Sequence, residues 1–128
     1  MTDTQINEKG ARDYIRAAQV LADSREGLIG PLTQCQGQAI EIALKVCIEK
    51  RGKNPAKGPQ GHDLLALHAL CPDVLLTKEQ SNDLQLINKN YIRDGSLSYP
   101  SRYRSSKGRV VSSAGQDAVE ALFEAILS

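Results

Sequence analysis

The chain has 128 residues, a length that corresponds to one compact domain, so we expect residues 1–128 to form a single unit. Hydrophobic residues make up 41% and charged residues 24%, and the formal net charge is +1, which together exclude a disordered polar chain and a membrane protein. Only four Tyr and one Phe are aromatic, so the core must be aliphatic, which favours helices over strands.

The composition also indicates the compartment in which the protein works. Residues 1–14 are polar, which argues against a signal peptide, and no run approaches the roughly 18 apolar residues of a membrane span. The three cysteines form no Cys-x-x-Cys pair, which argues against a disulfide framework and a zinc site. We therefore expect buried thiols in a cytoplasmic protein without a metal or cofactor.

Apolar residues recur at helical spacing in two long segments of the first half. Residues 11–22 present one apolar face, which predicts a first helix. A glycine–proline pair interrupts the pattern, and a second helix is predicted over residues 32–50. Its apolar stripe is wide, which is typical of the central helix of a bundle. Its polar strip, in which Glu41 precedes Lys45 at the spacing of a helical ion pair, faces either solvent or a partner.

A loop and a short third helix follow. Residues 51–61 contain three Gly and two Pro, a composition that interrupts helices and strands. The third helix is predicted to begin near His62 and to end before Pro72, with Asp63 in its first turn, where negative charge favours the helix dipole. His68 falls on the apolar side of this helix, so we interpret it as a core histidine whose polar atoms are satisfied.

Two capping-box patterns mark the last two helices. One pairs Thr77 with Gln80 and predicts a fourth helix that ends near Arg93. The other pairs Ser113 with Gln116 and predicts a fifth helix at the C-terminus. The pattern as a whole predicts an all-α fold, an antiparallel up-and-down bundle of four to five helices.

The connection between the last two helices is unusually long. Residues 94–112 are rich in Ser, Gly and basic residues, which predicts an extended and exposed segment. A connection of this length is either functional or disordered, and the sequence leaves both interpretations open.

The small net charge conceals two basic windows. Residues 45–57 and 93–109 hold ten of the sixteen Lys and Arg residues and carry a net charge of +4 each, which leaves −7 elsewhere. Guanidinium groups bind phosphate oxygens in pairs, so the windows favour a phosphate-bearing ligand, although two solvated loops would have the same composition. The predicted ligand-binding residues, which include one tyrosine for stacking on a base, are Arg102, Arg104, Lys107, Arg109, Lys45, Arg51, His62 and Tyr103.

Several motifs resemble those of HEPN domains. They are Tyr14 and Ala18 in the first helix, the stretch QAIEIALKVCIEKRG at residues 38–52, and the Gly-rich loop that leads into His-Asp-Leu at residues 62–64. The stretch NKNYIRDGSLSYPSRY at residues 88–103 looks like the family's Tyr-to-Arg-Tyr-Pro ending, although here Tyr-Pro precedes Arg-Tyr. The resemblance implies a bundle of four or five helices, often a homodimer, in a family whose name refers to nucleotide binding.

The chain departs from the catalytic pattern of that family. Many HEPN members are metal-independent ribonucleases in which an Arg is followed by a His after four to six residues. Here the nearest upstream arginine, Arg51, is separated from His62 by ten residues, and a flexible loop between them does not hold one geometry. We therefore expect a binding module for a nucleotide or other anionic ligand, without catalytic residues. The resemblance leaves two alternatives, a ribonuclease that uses His62 with Arg51 or Arg102, and an accessory partner of a nucleotidyltransferase in a toxin–antitoxin-like pair.

Overall fold

A computed structural model describes residues 7–24, 26–55, 61–91 and 115–128 of the chain. Within these ranges the fold is all-helical: α1 (Glu8–Asp23), α2 (Ile29–Lys50), α3 (Leu64–Ala69), α4 (Lys78–Tyr91) and α5 (Gln116–Leu127). Helix α2 contacts each of the other four helices, so it lies at the centre of the bundle. The predicted all-α bundle and its central second helix are confirmed. None of the described helices is long and apolar enough to cross a membrane.

Helices α1 and α2 both begin earlier than the apolar pattern predicts. Helix α1 is capped by Asn7, whose side-chain oxygen accepts a hydrogen bond of 2.7 Å from the N–H of Gly10. The first turn of α2 contains Pro31, which is tolerated there because the first N–H groups of a helix have no partner within it. The first turn of α1 is polar and that of α2 contains Gly30 and Pro31, so the apolar periodicity does not extend into either turn.

Helix α3 begins after His62 and not at it. Asp63 is the N-cap residue, and its carboxylate accepts hydrogen bonds from the N–H groups of Leu65 at 3.0 Å and Ala66 at 3.3 Å. The predicted position of Asp63 inside the first turn is therefore wrong, because Asp63 directly precedes that turn. The carboxylate acts on the helix end through hydrogen bonds to otherwise unpaired donors, in addition to its favourable charge.

The two predicted capping boxes have different outcomes. At α4 the prediction is confirmed, since Thr77 Oγ1 accepts from the N–H of Gln80 and Gln80 Oε1 accepts from the N–H of Thr77, both at 3.0 Å. At α5 it is wrong, because Gly115 is the N-cap and Gln116 is the first helical residue. The side chain of Gln116 bonds instead to side chains of α2 and α5. The predicted cap Ser113, the end near Arg93 and the 94–112 connection lie outside the described residues.

The core is mainly aliphatic, as the composition predicts. Its large aromatic members are Tyr91 and Phe123, and its largest fully buried aliphatic side chains are Ile40, Leu44, Ile48, Leu64, Leu67, Leu84, Leu122 and Ile126. His68 is half-buried and its Nε2 donates to the carbonyl of Val74 at 2.8 Å, so its interpretation as a satisfied histidine is confirmed.

The cysteines are free thiols, and two of the three are buried. Cys47 and Cys71 are buried as expected, whereas Cys35 is only half-buried. Cys47 Sγ donates to the carbonyl of Ile126 at 2.8 Å, which joins α2 to the end of α5. Burial raises the pKa of each thiol above its usual range.

Candidate functional site

A buried carboxylate lies at the centre of a polar cluster between α2, the start of α3 and the end of α4. Glu41 is 3% exposed and is the only charged residue in the described part of the chain that is buried. A carboxylate removed from water requires hydrogen-bond donors. Glu41 has three: Lys45 Nζ lies 2.8 Å from Oε2, while His62 Nδ1 and Tyr91 OH lie 2.9 and 2.7 Å from Oε1. We name these four residues the Glu41 cluster.

The Glu41–Lys45 ion pair has the spacing that the sequence predicts. Its environment differs from that of an exposed helical pair, because the Lys45 side chain is only 14% exposed. The polar strip to which both residues belong therefore turns inward at this point, toward other parts of the same chain. Lys45 supplies the positive charge that offsets the buried carboxylate, and removal of either member would leave a poorly solvated charge.

His62 lies in the turn that precedes α3. Since an ionised carboxylate only accepts hydrogen bonds, the contact with Glu41 assigns a proton to Nδ1 of the ring. The turn is held by Asn88 of α4, whose Oδ1 accepts from the N–H of Leu64 at 2.8 Å and whose Nδ2 donates to Asp63 Oδ1 at 3.1 Å. The start of α3 is thus pinned to α4, which keeps His62 beside the carboxylate.

Tyr91 is the last residue of α4 and is fully buried. Its ring packs against the backbone of α2 at Gly37, where an added Cβ would overlap the ring. Its hydroxyl lies 2.7 Å from both Glu41 Oε1 and Gln38 Oε1. A hydroxyl has one hydrogen, so it donates to one acceptor at a time, and the carboxylate is the stronger acceptor.

The structure brings together two of the predicted ligand-binding residues, Lys45 and His62. Arg51 lies at the C-cap of α2, where Nε and Nη2 contact the carboxylate of Asp73 at 2.8 and 2.7 Å and Nη1 donates to the carbonyl of Cys47 at 2.9 Å. These hydrogen bonds lower the pKa of the Asp73 carboxyl below its usual range. The remaining predicted residues lie outside the described ranges: Arg102, Tyr103, Arg104, Lys107 and Arg109.

Two members of the Glu41 cluster, His62 and Tyr91, adjoin the two basic windows in the sequence. His62 follows the first window, five residues after Lys57, and Tyr91 precedes the second window, two residues before Arg93. Both donate to the same oxygen of Glu41. His62 and Tyr91, each of which adjoins a basic window in the sequence, are therefore neighbours in space, although they are far apart along the chain.

The sequence pattern does not reveal the central roles of Glu41 and Tyr91. Glu41 belongs to the strip that is predicted to face solvent or a partner, and Tyr91 belongs to an apolar stripe in which its hydroxyl carries no periodic signal. One sequence signal was present: Glu41 stands between Ile40 and Ile42, in a helix whose apolar residues extend over more than one face. A charge in such a helix is typical of a buried and paired position.

A second polar surface lies between α1 and α5. A cavity of about 270 Å³ is lined by Arg12, Ile15, Arg16, Gln19, Glu120, Phe123 and Glu124. The Arg12 guanidinium lies 5.6 Å from the centre of the Phe123 ring and is bonded to Glu8 and Glu124. No residue predicted to bind the ligand lines this cavity.

No family model matches the chain, and no curated protein or solved structure matches it either. The resemblance to HEPN domains therefore stays a prediction that rests on the motifs. Among the described residues, no group of three or more His, Cys, Asp or Glu side chains is arranged to hold a metal ion.

Proposed function

We propose that the protein is a small helical module that binds a nucleotide or another anionic ligand and does not convert it. The observation that supports this most strongly is the pair of hydrogen bonds from His62 and Tyr91 to one oxygen of Glu41, at 2.9 and 2.7 Å. Each of these residues adjoins in the sequence a basic window of net charge +4, so the contacts bring together two residues that adjoin different windows. Concentrated positive charge of this kind attracts phosphate groups.

The charges within the described part of the site divide the predicted residues into two roles. Lys45 is paired with Glu41, and Arg51 is paired with Asp73, so both cations are offset by a carboxylate. In this proposal they support the framework. The phosphate contacts come from Arg102, Arg104, Lys107 and Arg109, and Tyr103 offers a ring for stacking on a base.

The arrangement of Arg51 supports binding without catalysis. Cleavage of RNA requires an acid or base and a cation that reaches the phosphate, held in one geometry. The guanidinium of Arg51 is directed to Asp73 and to the carbonyl of Cys47 through Nε, Nη1 and Nη2. It is therefore a poor phosphate ligand beside His62.

One observation favours a ribonuclease as a second candidate function. The imidazole of His62 is oriented by a buried carboxylate, an arrangement that suits acid–base chemistry, and Arg102 is then the candidate cation. An RNA cleavage assay with the unmodified protein and with His62→Ala tests this candidate. Cleavage that disappears in the variant would support it, and an absence of cleavage in both proteins contradicts it.

The proposal includes a homodimer in the cytoplasm. The dimer follows from the resemblance to HEPN domains, and three free thiols fit a reducing compartment. Sedimentation equilibrium of the purified protein measures the oligomeric state. The alternative, an accessory role beside a nucleotidyltransferase, is tested by whether such an enzyme co-purifies from the native host.

Calorimetric titration with ATP, inorganic triphosphate and a single-stranded RNA oligonucleotide tests the binding function. We expect binding of at least one probe at low salt, and an affinity about tenfold weaker with a flatter salt dependence in Arg102→Ala/Arg104→Ala. The matched control is Lys9→Ala/Lys78→Ala, which removes two positive charges from exposed positions on α1 and α4. If none of the three probes binds, or if both double variants behave alike, the proposal is wrong.

A further inference from the structure

The cavity between α1 and α5 has two arginines on one wall and two glutamates on the other. Arg12 and Arg16 lie one helical turn apart on α1, and Glu120 and Glu124 lie one turn apart on α5. All four residues line the same cavity of about 270 Å³. The two walls therefore offer the partners for two ion pairs across the cavity.

One of these two ion pairs is closed and the other is open. Arg12 Nη1 and Nη2 donate to the carboxylate oxygens of Glu124 at 3.0 and 3.3 Å. Arg16 Nη1 instead donates to Gln19 of its own helix at 2.9 Å, and Arg16 makes no ion pair with any residue that the structure describes. Arg16 and Glu120 thus face one cavity without bonding to each other.

The carboxylate of the open pair is oriented from the interior of the bundle. Gln36 of α2 is 4% exposed, and its Nε2 donates to Gln116 Oε1 at 2.9 Å. Gln116 Nε2 in turn donates to Glu120 Oε2 at 2.9 Å. Two amide side chains therefore fix Glu120 at the cavity through one of its two oxygens. A group that is already oriented loses less conformational entropy when a ligand binds to it.

The charges of the open pair define the class of ligand that fits between them. A small anion that binds to Arg16 is repelled by Glu120, and a small cation that binds to Glu120 is repelled by Arg16. A zwitterion satisfies both groups, because its carboxylate accepts hydrogen bonds from the guanidinium and its ammonium donates to the carboxylate.

The size and the apolar wall of the cavity restrict the ligand further. Pockets for drug-sized ligands have roughly 300–1,000 Å³, so a volume of about 270 Å³ suits a smaller molecule. The apolar contact comes from Ile15, which is half-buried on the same face of α1 as the two arginines. The ring of Phe123 is 1% exposed and lies beneath the guanidinium of Arg12, so it offers little surface. A short aliphatic side chain matches this wall.

We propose that the cavity between α1 and α5 binds a free α-amino acid with an aliphatic side chain, whose carboxylate lies on Arg16 and whose ammonium lies on Glu120. The closed pair of Arg12 and Glu124 forms one end of the site. None of the residues proposed to bind an anionic ligand lines this cavity, so the inference does not depend on the proposed function. Failure of the protein to bind ATP, triphosphate or RNA leaves it unchanged.

Titrations of the whole chain with three related probes, followed by the NMR signals of the backbone amides, test the proposal. Leucine carries both charges, isocaproate is leucine without its ammonium, and isoamylamine is leucine without its carboxylate. We expect leucine to shift signals of α1 and α5 and to bind at least about tenfold more tightly than either analogue, because each analogue leaves one charge of the open pair without a partner. If leucine does not bind, or binds no better than the two analogues, the proposal is wrong.

Two variants separate the roles of the two charges. Glu120→Gln keeps an oxygen that accepts from Gln116 and removes the negative charge, while Arg16→Gln removes the positive charge from an exposed side chain. Each substitution should weaken the binding of leucine about tenfold. Isocaproate should bind to Glu120→Gln more tightly than to the unmodified protein, and isoamylamine should bind more tightly to Arg16→Gln, since neither analogue then meets a like charge.

Matched controls remove the same charges elsewhere. Asp117→Asn on α5 and Lys78→Gln on α4 change exposed residues that do not line the cavity, and they should leave the affinity for leucine unchanged. Thermal unfolding establishes that each variant is folded at the temperature of the titration. Losses in the controls as large as those at Arg16 and Glu120, or an unchanged affinity in the two cavity variants, would overturn the assignment of the site.

Discussion

Two nitrogens of Arg51 contact the carboxylate of Asp73, Nε at 2.8 Å and Nη2 at 2.7 Å. This ion pair joins the end of α2 to the connection between α3 and α4. A third nitrogen, Nη1, donates to the carbonyl of Cys47 in the last turn of α2. One guanidinium thus bonds a carbonyl in the last turn of α2 and fixes the direction in which the chain leaves α3.

This ion pair predicts a pH-dependent contribution to stability. Hydrogen bonding by Arg51 lowers the pKa of Asp73 in the folded protein, while in the unfolded chain the carboxyl titrates near its usual value of about 3.9. The contribution is therefore complete above the unfolded pKa and is lost as the pH falls through the folded pKa. The melting temperature of Asp73→Asn should be lower than that of the unmodified protein at neutral pH, by a small amount because the pair is exposed, and the difference should vanish in acid.

The comparison needs a control for the removal of one negative charge. Asp83→Asn on α4 makes the same change without affecting Arg51. A difference for Asp73→Asn that persists unchanged at low pH would show that the ion pair is not its source.

The contact between Gly37 and Tyr91 predicts that a small substitution is costly. Gly37→Ala adds a methyl group in the space that the ring occupies, so we expect a loss of about 1–3 kcal/mol in the free energy of unfolding, measured in urea. This loss opposes the gain of about 1 kcal/mol that alanine usually brings inside a helix. Gly115→Ala is the matched control, because an added Cβ at that position meets nothing within 4 Å. Equal effects at both positions would argue against the close packing.

The burial of Glu41 predicts an energetic difference between two ion pairs with identical spacing. Lys9 and Asp13 on α1 are also four residues apart, but their side chains are 85% and 67% exposed. We expect Glu41→Gln to destabilise the protein by about 2–4 kcal/mol, because Lys45 loses its partner in a poorly solvated place. Asp13→Asn should change the stability by less than about 0.5 kcal/mol.

Chemical denaturation of these variants, together with a Glu41→Gln/Lys45→Met double variant, measures the difference. The double variant should lose less than the sum of its two single substitutions, since no unpaired charge remains. Strict additivity would mean that Glu41 and Lys45 do not stabilise each other.

The two capping-box patterns predict opposite results for similar substitutions. Thr77→Ala removes an acceptor from the N–H of Gln80, so it should cost about 1 kcal/mol of stability. Ser113→Ala should cost almost nothing as a cap, because α5 is capped at Gly115. Urea denaturation of both variants decides this, and a loss at position 113 as large as that at Thr77 would contradict the observed start of α5.

The two capping-box patterns differ in outcome because only one of the two helix starts is determined by residues next to it in the sequence. A capping box involves residues three positions apart, and at Thr77 both of its reciprocal hydrogen bonds form, so the pattern predicts the helix start correctly. At Ser113 the same pattern fails, because the side chain of Gln116 bonds to Gln36 of α2 and to Glu120 in the next turn of α5. Helix propensity and residue spacing describe interactions within one helical segment. They contain no information about contacts with residues of other helices.

The candidate site could be predicted only in part for the same reason. The ion pair of Glu41 with Lys45 joins two residues four positions apart, a spacing from which the sequence predicts it. The partners that bury the carboxylate, His62 and Tyr91, are 21 and 50 residues away, and nothing in the local pattern of any of these segments links them. Composition reveals the basic windows, but the proximity of His62 and Tyr91, which adjoin the windows in the sequence, depends on the packing of α3 and α4 on α2.

The fit of the Tyr91 ring over Gly37 makes these two positions depend on each other in evolution. A chain that keeps this packing and gains a Cβ at the first position has to reduce or move the ring at the second, so either change alone is selected against. Substitutions at Gly37 and Tyr91 should therefore be correlated among natural variants of this chain, although the two residues are far apart in the sequence. Tyr91 lies 53 positions after Gln38, and Gly37 directly precedes Gln38.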